Sequence, residues 1–316
     1  MMYQEKNKTS FFLKGFTESA LLTVISRLTG FVRDIFIAAF LGAGVFTDIF
    51  LIAFKLPNLF RRITAEGALT SAILPIYSKL KIQNGDTFAF FYFKNVFYRV
   101  SISLFAIMIL FQIIMPFLVQ FLAPGFLNNE QVINQITTLS RITIIFMPLI
   151  SIVALLGVVT NVSGKFWILA FTPTILNSSI ILGCFFINDY WAIKALPLAV
   201  ATVLGGFVQI IFVVIMIKKL KIFKFNFLDN NAQYKKDKNQ IKFQINRTWQ
   251  KFLPAAFGGG ILQINLLVDT ILASLLGFGS ISYLYFADRI AQLPLGIIGI
   301  ALGTTLLTSL SKSNAT

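Results

Sequence analysis

The stretch TESALLTVISRLTGFVRDIFIAAFL, residues 17–41, is long and apolar enough to cross a bilayer, yet it carries Arg27, Arg33 and Asp34 in its interior. About 20 residues of helix span the hydrocarbon. A cation there costs roughly 2.5–3.5 kcal/mol even on a lenient insertion scale. Arg61 and Arg289 sit in similar runs, so four arginines facing lipid would cost on the order of 10–14 kcal/mol. They must face protein or a water-filled cavity, and a basic cavity inside a membrane wants an anion.

The rest of the chain supports a polytopic membrane protein. It has 316 residues, 57% hydrophobic and 12% charged, with a mean hydropathy of +0.81. A soluble domain is about 25% charged. The formal charge of +15 does not point to nucleic acid, because the basic residues fall between apolar segments rather than on a soluble face. The single cysteine, Cys184, lies in an apolar run, so there is no disulfide framework. There is no histidine, which removes the commonest general base and metal ligand. The abundance of phenylalanine, 35 residues, reads as compositional bias.

Apolar runs of spanning length recur about eight times, near 17–41, 46–78, 90–122, 134–160, 168–187, 191–217, 249–276 and 281–308. The second is long and holds Pro57 and Pro75, so it should bend. The residues before 16 are polar and basic and read as an uncleaved cytoplasmic tail, since a cleavable signal has a shorter, cleaner apolar core. Lysines and arginines concentrate in alternate loops, above all Lys218, Lys219, Lys221 and onward to Lys251, while the opposite loops hold Lys194 and little else. That asymmetry places both ends inside. The chain divides into a six-helix N-terminal transmembrane lobe (1–217), a basic cytoplasmic connector (218–248) and the first two helices of a second lobe (249–316). The connector reads as a topology-setting loop. Its lysines and phenylalanines would also suit a surface that touches anionic lipid heads. Six helices, a basic connector and a second group suggest a transporter built from two halves.

The charges form constellations. Arg27 and Asp34 are seven residues apart, nearly on one helix face, with Gly30 between them to admit a close neighbour. Arg33 points about 120° away from Arg27 and meets Asp34 only as a sequence neighbour, a poor pairing geometry. Asp48 lies near the outer end of the second span as an interfacial cap. Arg62 and Glu66 are four apart and can pair, leaving Arg61 the less satisfied cation. Pro57 frees the carbonyl near Ala53, and Lys55 reads as snorkelling or as internally paired. Asp288 and Arg289 point about 100° apart, so one of them faces the interior. Asp269, the only acid in its span, reads equally as an ion or proton site and as the partner of an arginine. Gly258, Gly259 and Gly260 mark a weak, hinge-like helix start rather than a phosphate loop. No nucleophile–base pair, metal cluster or dinucleotide fingerprint argues for an enzyme.

Residues 25–80, ISRLTGFVRDIFIAAFLGAGVFTDIFLIAFKLPNLFRRITAEGALTSAILPIYSKL, closely resemble the start of the MurJ/MviN family, flippases for the peptidoglycan precursor lipid II. LAPGF (122–126), TPTILN (172–177) and YFADRIAQLPLGIIGIALGTTLLTSLSKS (285–313) fit the same family in the same order. The resemblance covers nearly the whole chain and about the first eight of the family's fourteen helices. It departs at Thr308, where the family usually has proline. The resemblance implies two six-helix lobes around a cationic cavity. It implies substrate-binding roles for Arg27, Arg33, Arg61 and Arg289, and a family aspartate matches Asp48; beside these, Asp34, Arg62, Glu66 and Asp288 are expected from the charge pattern to support the cavity or gate. It also implies a sodium-ligand role for Asp269, whose partner ligands would lie in later helices, with sodium or proton coupling and no organic cofactor.

The function expected is translocation of lipid II across a bacterial inner membrane for cell-wall synthesis, by alternating access. Arginine forks would hold the diphosphate. A charged cavity could also respond to membrane potential, at about 2.3 kcal/mol per charge per 100 mV. The expected partners are lipid II, anionic lipids and the cell-wall synthesis or division machinery. Two alternatives stand beside this: an exporter of another polyprenyl-diphosphate-linked saccharide, and a non-transporting membrane component that binds a lipid-linked precursor.

Overall fold

The computed structural model describes residues 2–223 and 231–292; for 2–17, 65, 66, 231–237 and 262 it describes the backbone alone. The described residues fold as helices joined by short turns. In chain order these are α1 (Met2–Leu41), α2 (Val45–Phe60), a π-helical segment (Arg61–Ala68), α3 (Leu69–Leu122), a 3-10 turn (Pro124–Phe126), α4 (Glu130–Thr143), α5 (Phe146–Val162), α6 (Phe166–Cys184), α7 (Leu196–Lys219) and α8 (Asn231–Leu275). A last helix, α9, covers 280–292. The all-α transmembrane bundle expected from the sequence is what forms. α1 packs on α6, α6 on α7, α5 on α3 and α7, α2 on α4, and α8 runs along α3 and the π segment.

The sequence explains the breaks. α3 is two helices joined at Gly85, whose φ of 84° and ψ of 174° place it where a side chain is strained. The second apolar run therefore continues through the π segment to this turn, and the third begins after it. The charges Arg27, Arg33 and Asp34 keep α1 out of any list of plainly apolar spans, although its length is ample. Two of the prolines inside helices are tolerated because hydroxyls take the carbonyls they release. Pro57 frees the carbonyl of Ala53, and Thr143 Oγ1 donates to it at 2.6 Å. Pro173 frees that of Leu169, and Thr172 Oγ1 donates to it at 2.9 Å.

Three expectations change. The stretch 218–248 is helical from Asn231 onward. Its Ile241 and Ile245 are buried, and Thr248 bonds Tyr92 of α3 at 2.5 Å. An apolar stripe at helical spacing inside a lysine-rich segment was the signal for this docking. Gly258, Gly259 and Gly260 lie inside α8 instead of starting it. Beyond the bend expected at its prolines, the second run changes winding: four residues after Pro57 its hydrogen bonds lengthen to the π pattern, as in Leu69 N–H to the Thr64 carbonyl. The distal part of the eighth run, with Gly296, Gly299, Gly303 and Thr308, lies outside the described residues.

The bundle has a turn end, carrying the α1–α2 connection, and a basic end, carrying the lysines that follow α7.

Candidate functional site

The charged residues of α1, α2, α8 and α9 stack in layers. At about 1.5 Å of rise per residue, Asp48 lies about 5 Å from the start of α2, and Arg33 and Asp34 about 11 Å before the end of α1. Arg27 lies about 21 Å before that end, and Arg61 and Arg62 about 24 Å along from Val45.

In the first layer Asp48 is fully buried. Its Oδ2 accepts the Gly279 N–H at 2.5 Å and its Oδ1 the Ser282 N–H at 2.7 Å. These are the unpaired donors at the start of α9, so an acid on α2 caps a helix more than two hundred residues away in sequence. Beside it Gly125 N–H donates to Ser274 Oγ at 3.2 Å, and the rings of Phe126 and Phe278 lie 4.9 Å apart. The turn end is closed by these contacts. Asp48→Ala should cost about 0.5–2 kcal/mol, the usual loss of an N-cap, and Asp48→Asn much less, since the amide oxygen still accepts. Thermal unfolding in detergent would rank the two, and equal losses would contradict the capping role.

The second layer centres on Asp34, 2% exposed. Arg33 Nε and Nη2 donate to its Oδ1 at 2.9 and 2.6 Å, and Arg289 Nε reaches its Oδ2 at 2.5 Å. Tyr285 O–H donates to Oδ1 at 2.9 Å and accepts from Arg33 at 2.9 Å and from Arg289 at 3.2 Å. Arg33 Nη1 donates to Asn177 Oδ1 at 3.1 Å, and Asn177 Nδ2 donates to the Ser26 carbonyl and Thr29 Oγ1. Gly30 makes room for that amide, which would sit 3.4 Å from a Cβ there. The close neighbour expected at Gly30 is thus Asn177.

The expectation that Arg33 and Asp34 pair poorly is overturned. The 100° between neighbouring positions describes the directions of their Cβ atoms, and a guanidinium on a long stem reaches sideways across it. Arg27 does not join Asp34; it is exposed, and among the described residues none bonds or pairs with it. Of the pair Asp288–Arg289 it is Arg289 that turns inward, while Asp288 is exposed and accepts from Gln292. Asn177 and Tyr285 were missed as site residues. Asn177 was detectable as an isolated amide in an apolar run, and Tyr285 as the hydroxyl one turn before Arg289.

In the third layer Arg61 Nε donates to Asn58 Oδ1 at 3.0 Å, whereas Arg62 is exposed. The expectation that Arg61 is the less satisfied of the two is reversed. The side chain of Glu66 lies outside the described residues. Between the second and third layers Lys55 is half-buried on α2. Asp269 is exposed on α8, and the described residues hold no group of three acidic, cysteine or histidine ligands around a metal position.

The fold and these layers define a polytopic helical membrane protein whose charged residues line the contact between two groups of helices. A family model described as Lipid II flippase MurJ matches residues 37–316. The probable lipid II flippase MurJ of Rickettsia prowazekii (strain Madrid E) is 38% identical over 294 residues, 93% of this chain and 55% of that protein. That of Buchnera aphidicola subsp. Acyrthosiphon pisum is 35% identical over 302 residues, 95% of this chain and 57% of its own. The lipid II flippase MurJ of Burkholderia cenocepacia is 31% identical over 296 residues. A solved structure, lipid II flippase MurJ in an inward closed conformation, superposes with a TM-score of 0.70 at 25% identity, covering 94% of this chain and 59% of that one. The chain belongs to the lipid II flippase MurJ family. It spans about half the length of the curated relatives it matches.

Proposed function

We propose that the chain binds lipid II and moves its head group from the cytoplasmic to the periplasmic leaflet of a bacterial inner membrane, with no bond made or broken. The observation that carries this reading is the closed pair of layers at Asp48 and Asp34 above an open cationic layer that includes Arg27. The turn end then faces the periplasm and the basic end the cytoplasm, with the N-terminus inside, as the lysine asymmetry favours. The substrate's diphosphate would enter at Arg27 and draw on guanidinium donors that match phosphate geometry. Charge brought to that layer competes with Asp34 for Arg33 and Arg289. Loosening that layer lets the turn end open, which is alternating access with a stated trigger. Anionic lipids around the basic end, and cell-wall synthesis or division proteins, are the further partners this reading implies.

The test is rescue of cells depleted of their own lipid II flippase, paired with lipid II retention by the purified chain. Arg27→Ala should abolish rescue and leave thermal stability within about 0.5 kcal/mol, as for an exposed residue without partners. Arg289→Ala should lose both rescue and stability. Rescue that survives both substitutions would defeat the arginine-layer mechanism. Retention of a polyprenyl diphosphate carrying a different saccharide as tightly as lipid II would favour the alternative cargo.

A further inference from the structure

Arg141 lies in the fourth apolar run and belongs to none of the layers above. It is exposed, and among the described residues its side chain has no hydrogen-bond or ion-pair partner. We propose that it binds the phosphate of a glycerophospholipid in the leaflet at the turn end, at a site on the outward face of α3 and α4. The proposal does not depend on the cargo.

The depth of Arg141 sets the problem. Thr143 donates to the carbonyl of Ala53, eight residues into α2, so it lies about 12 Å below the start of that helix and Arg141 about 9 Å below it. Gln112 Nε2 donates to the Arg141 carbonyl at 2.7 Å, and Gln112 is about 15 Å below the end of α3. Both depths fall within one leaflet of a hydrocarbon core about 30 Å thick. The buried residues of α4, among them Val132, Ile136, Leu139 and Thr143, face α2. Arg141 is on the opposite side of the helix, where its neighbours are lipid tails.

Topology does not account for a cation there, because the loops at this end hold Lys194 and little else. An outward cation at this depth needs a counter-group from the bilayer itself. α4 runs inward from the turn end, and helical side chains lean toward the N-terminus. The long stem therefore carries the guanidinium up toward the head groups, where phosphate matches its fork.

The surroundings follow the order of groups in a lipid. Toward the bilayer middle, Phe105 and Ile109 share the face of Gln112 on α3 and are exposed, a surface for acyl chains. Toward the turn end, Asn134 and Thr138 share the face of Arg141 on α4. They line a polar cleft of about 490 Å³ with Glu130, Gln131, Gln135 and Ile193. The side-chain amides of Gln131, Asn134 and Gln135 are without partners among the described residues, so the cleft offers donors and acceptors to a head group. Apolar, cationic and polar surfaces thus succeed one another as tail, phosphate and head group do.

The test uses the full chain carrying Thr138→Cys labelled with bimane, with Cys184 buried. The vesicles are digalactosyl diacylglycerol, which has no phosphate, doped with phosphatidylcholine that bears a nitroxide quencher on its head group. A second probe at Leu204→Cys, exposed on α7 about 12 Å from its start, reports random encounter. Quenching at position 138 should exceed that at 204 at least twofold. Arg141→Gln should bring it down to the level at 204, and Arg141→Lys should keep part of the excess. Equal quenching at the two positions, or an excess indifferent to Arg141→Gln, overturns the proposal. Unlabelled phosphatidylglycerol should relieve the excess. Relief by inorganic phosphate would mark a site for free anions. Relief by a polyprenyl diphosphate at a tenfold lower mole fraction than phosphatidylglycerol would mark a landing place for cargo. Either result overturns the assignment to a glycerophospholipid.

Discussion

Asp34→Ala is expected to destabilise the protein by about 3–5 kcal/mol, the range for removing one partner of a buried ion pair. Arg33 is only 8% exposed and would keep two neutral partners, Asn177 and Tyr285. Arg289 would lose its carboxylate and face Arg33, whose charge already opposes its own. Two cations would then share a site with no acid at hydrocarbon depth. Denaturation of the purified chain in detergent gives the number. A loss below about 1 kcal/mol, the ceiling for a surface pair, would mean that the cluster is wetter and weaker than its burial implies. Replacing all three charges, Arg33→Met and Asp34→Leu with Arg289→Met, should recover a large part of the loss, since an apolar cluster carries no desolvation cost. The triple variant should nevertheless fail in rescue, because the layer would no longer sense an arriving charge.

Gly125→Ala should act at the other closure with comparable force. A Cβ built on Gly125 would stand 1.9 Å from the Ser274 carbonyl oxygen and 2.8 Å from Leu275 Cα. Those are backbone atoms, which cannot swing aside as the tip of a side chain can. The 3-10 turn and the end of α8 must separate, which breaks the Gly125–Ser274 bond and unstacks Phe126 from Phe278. Overpacking of this kind costs about 1–3 kcal/mol and shifts backbone. The expected result is a turn end held open, read as faster alkylation of a cysteine placed at Ile281, buried in the closed form, by a membrane-impermeant reagent added from the side that the turn end faces. An unchanged rate would show that the two segments can part without opening a path.

Much of this was legible in the chain before its folding was known. The apolar runs marked the helices, because only internally bonded backbone survives in hydrocarbon. The cost of four cations there placed Arg33 and Arg289 inside. Gly30 announced a close neighbour, and Pro57 announced a carbonyl in need of a donor, supplied by Thr143. What escaped depended on side-chain reach or on distant partners. An ideal helical wheel separates Arg33 from Asp34, whereas the guanidinium reaches across. The burial of Asp48 could be suspected, but nothing local says that its donors are Gly279 and Ser282. The docking of 238–252 on α3 was hidden by its lysines, which dominate any average over the segment.

The cap that Asp48 places on α9 has a consequence for how the turn end can open. Each side of that contact is half of a pairing that neither can complete alone. When the helices part, one carboxylate and two amide donors lose their partners together, and lipid tails offer no substitutes. Only water can take their place. Opening at this point is therefore a hydration reaction as much as a movement of helices, and it must proceed from the aqueous face inward. Solutes excluded from protein surfaces should hold the closure shut, so its equilibrium would follow the osmotic state of the compartment it faces.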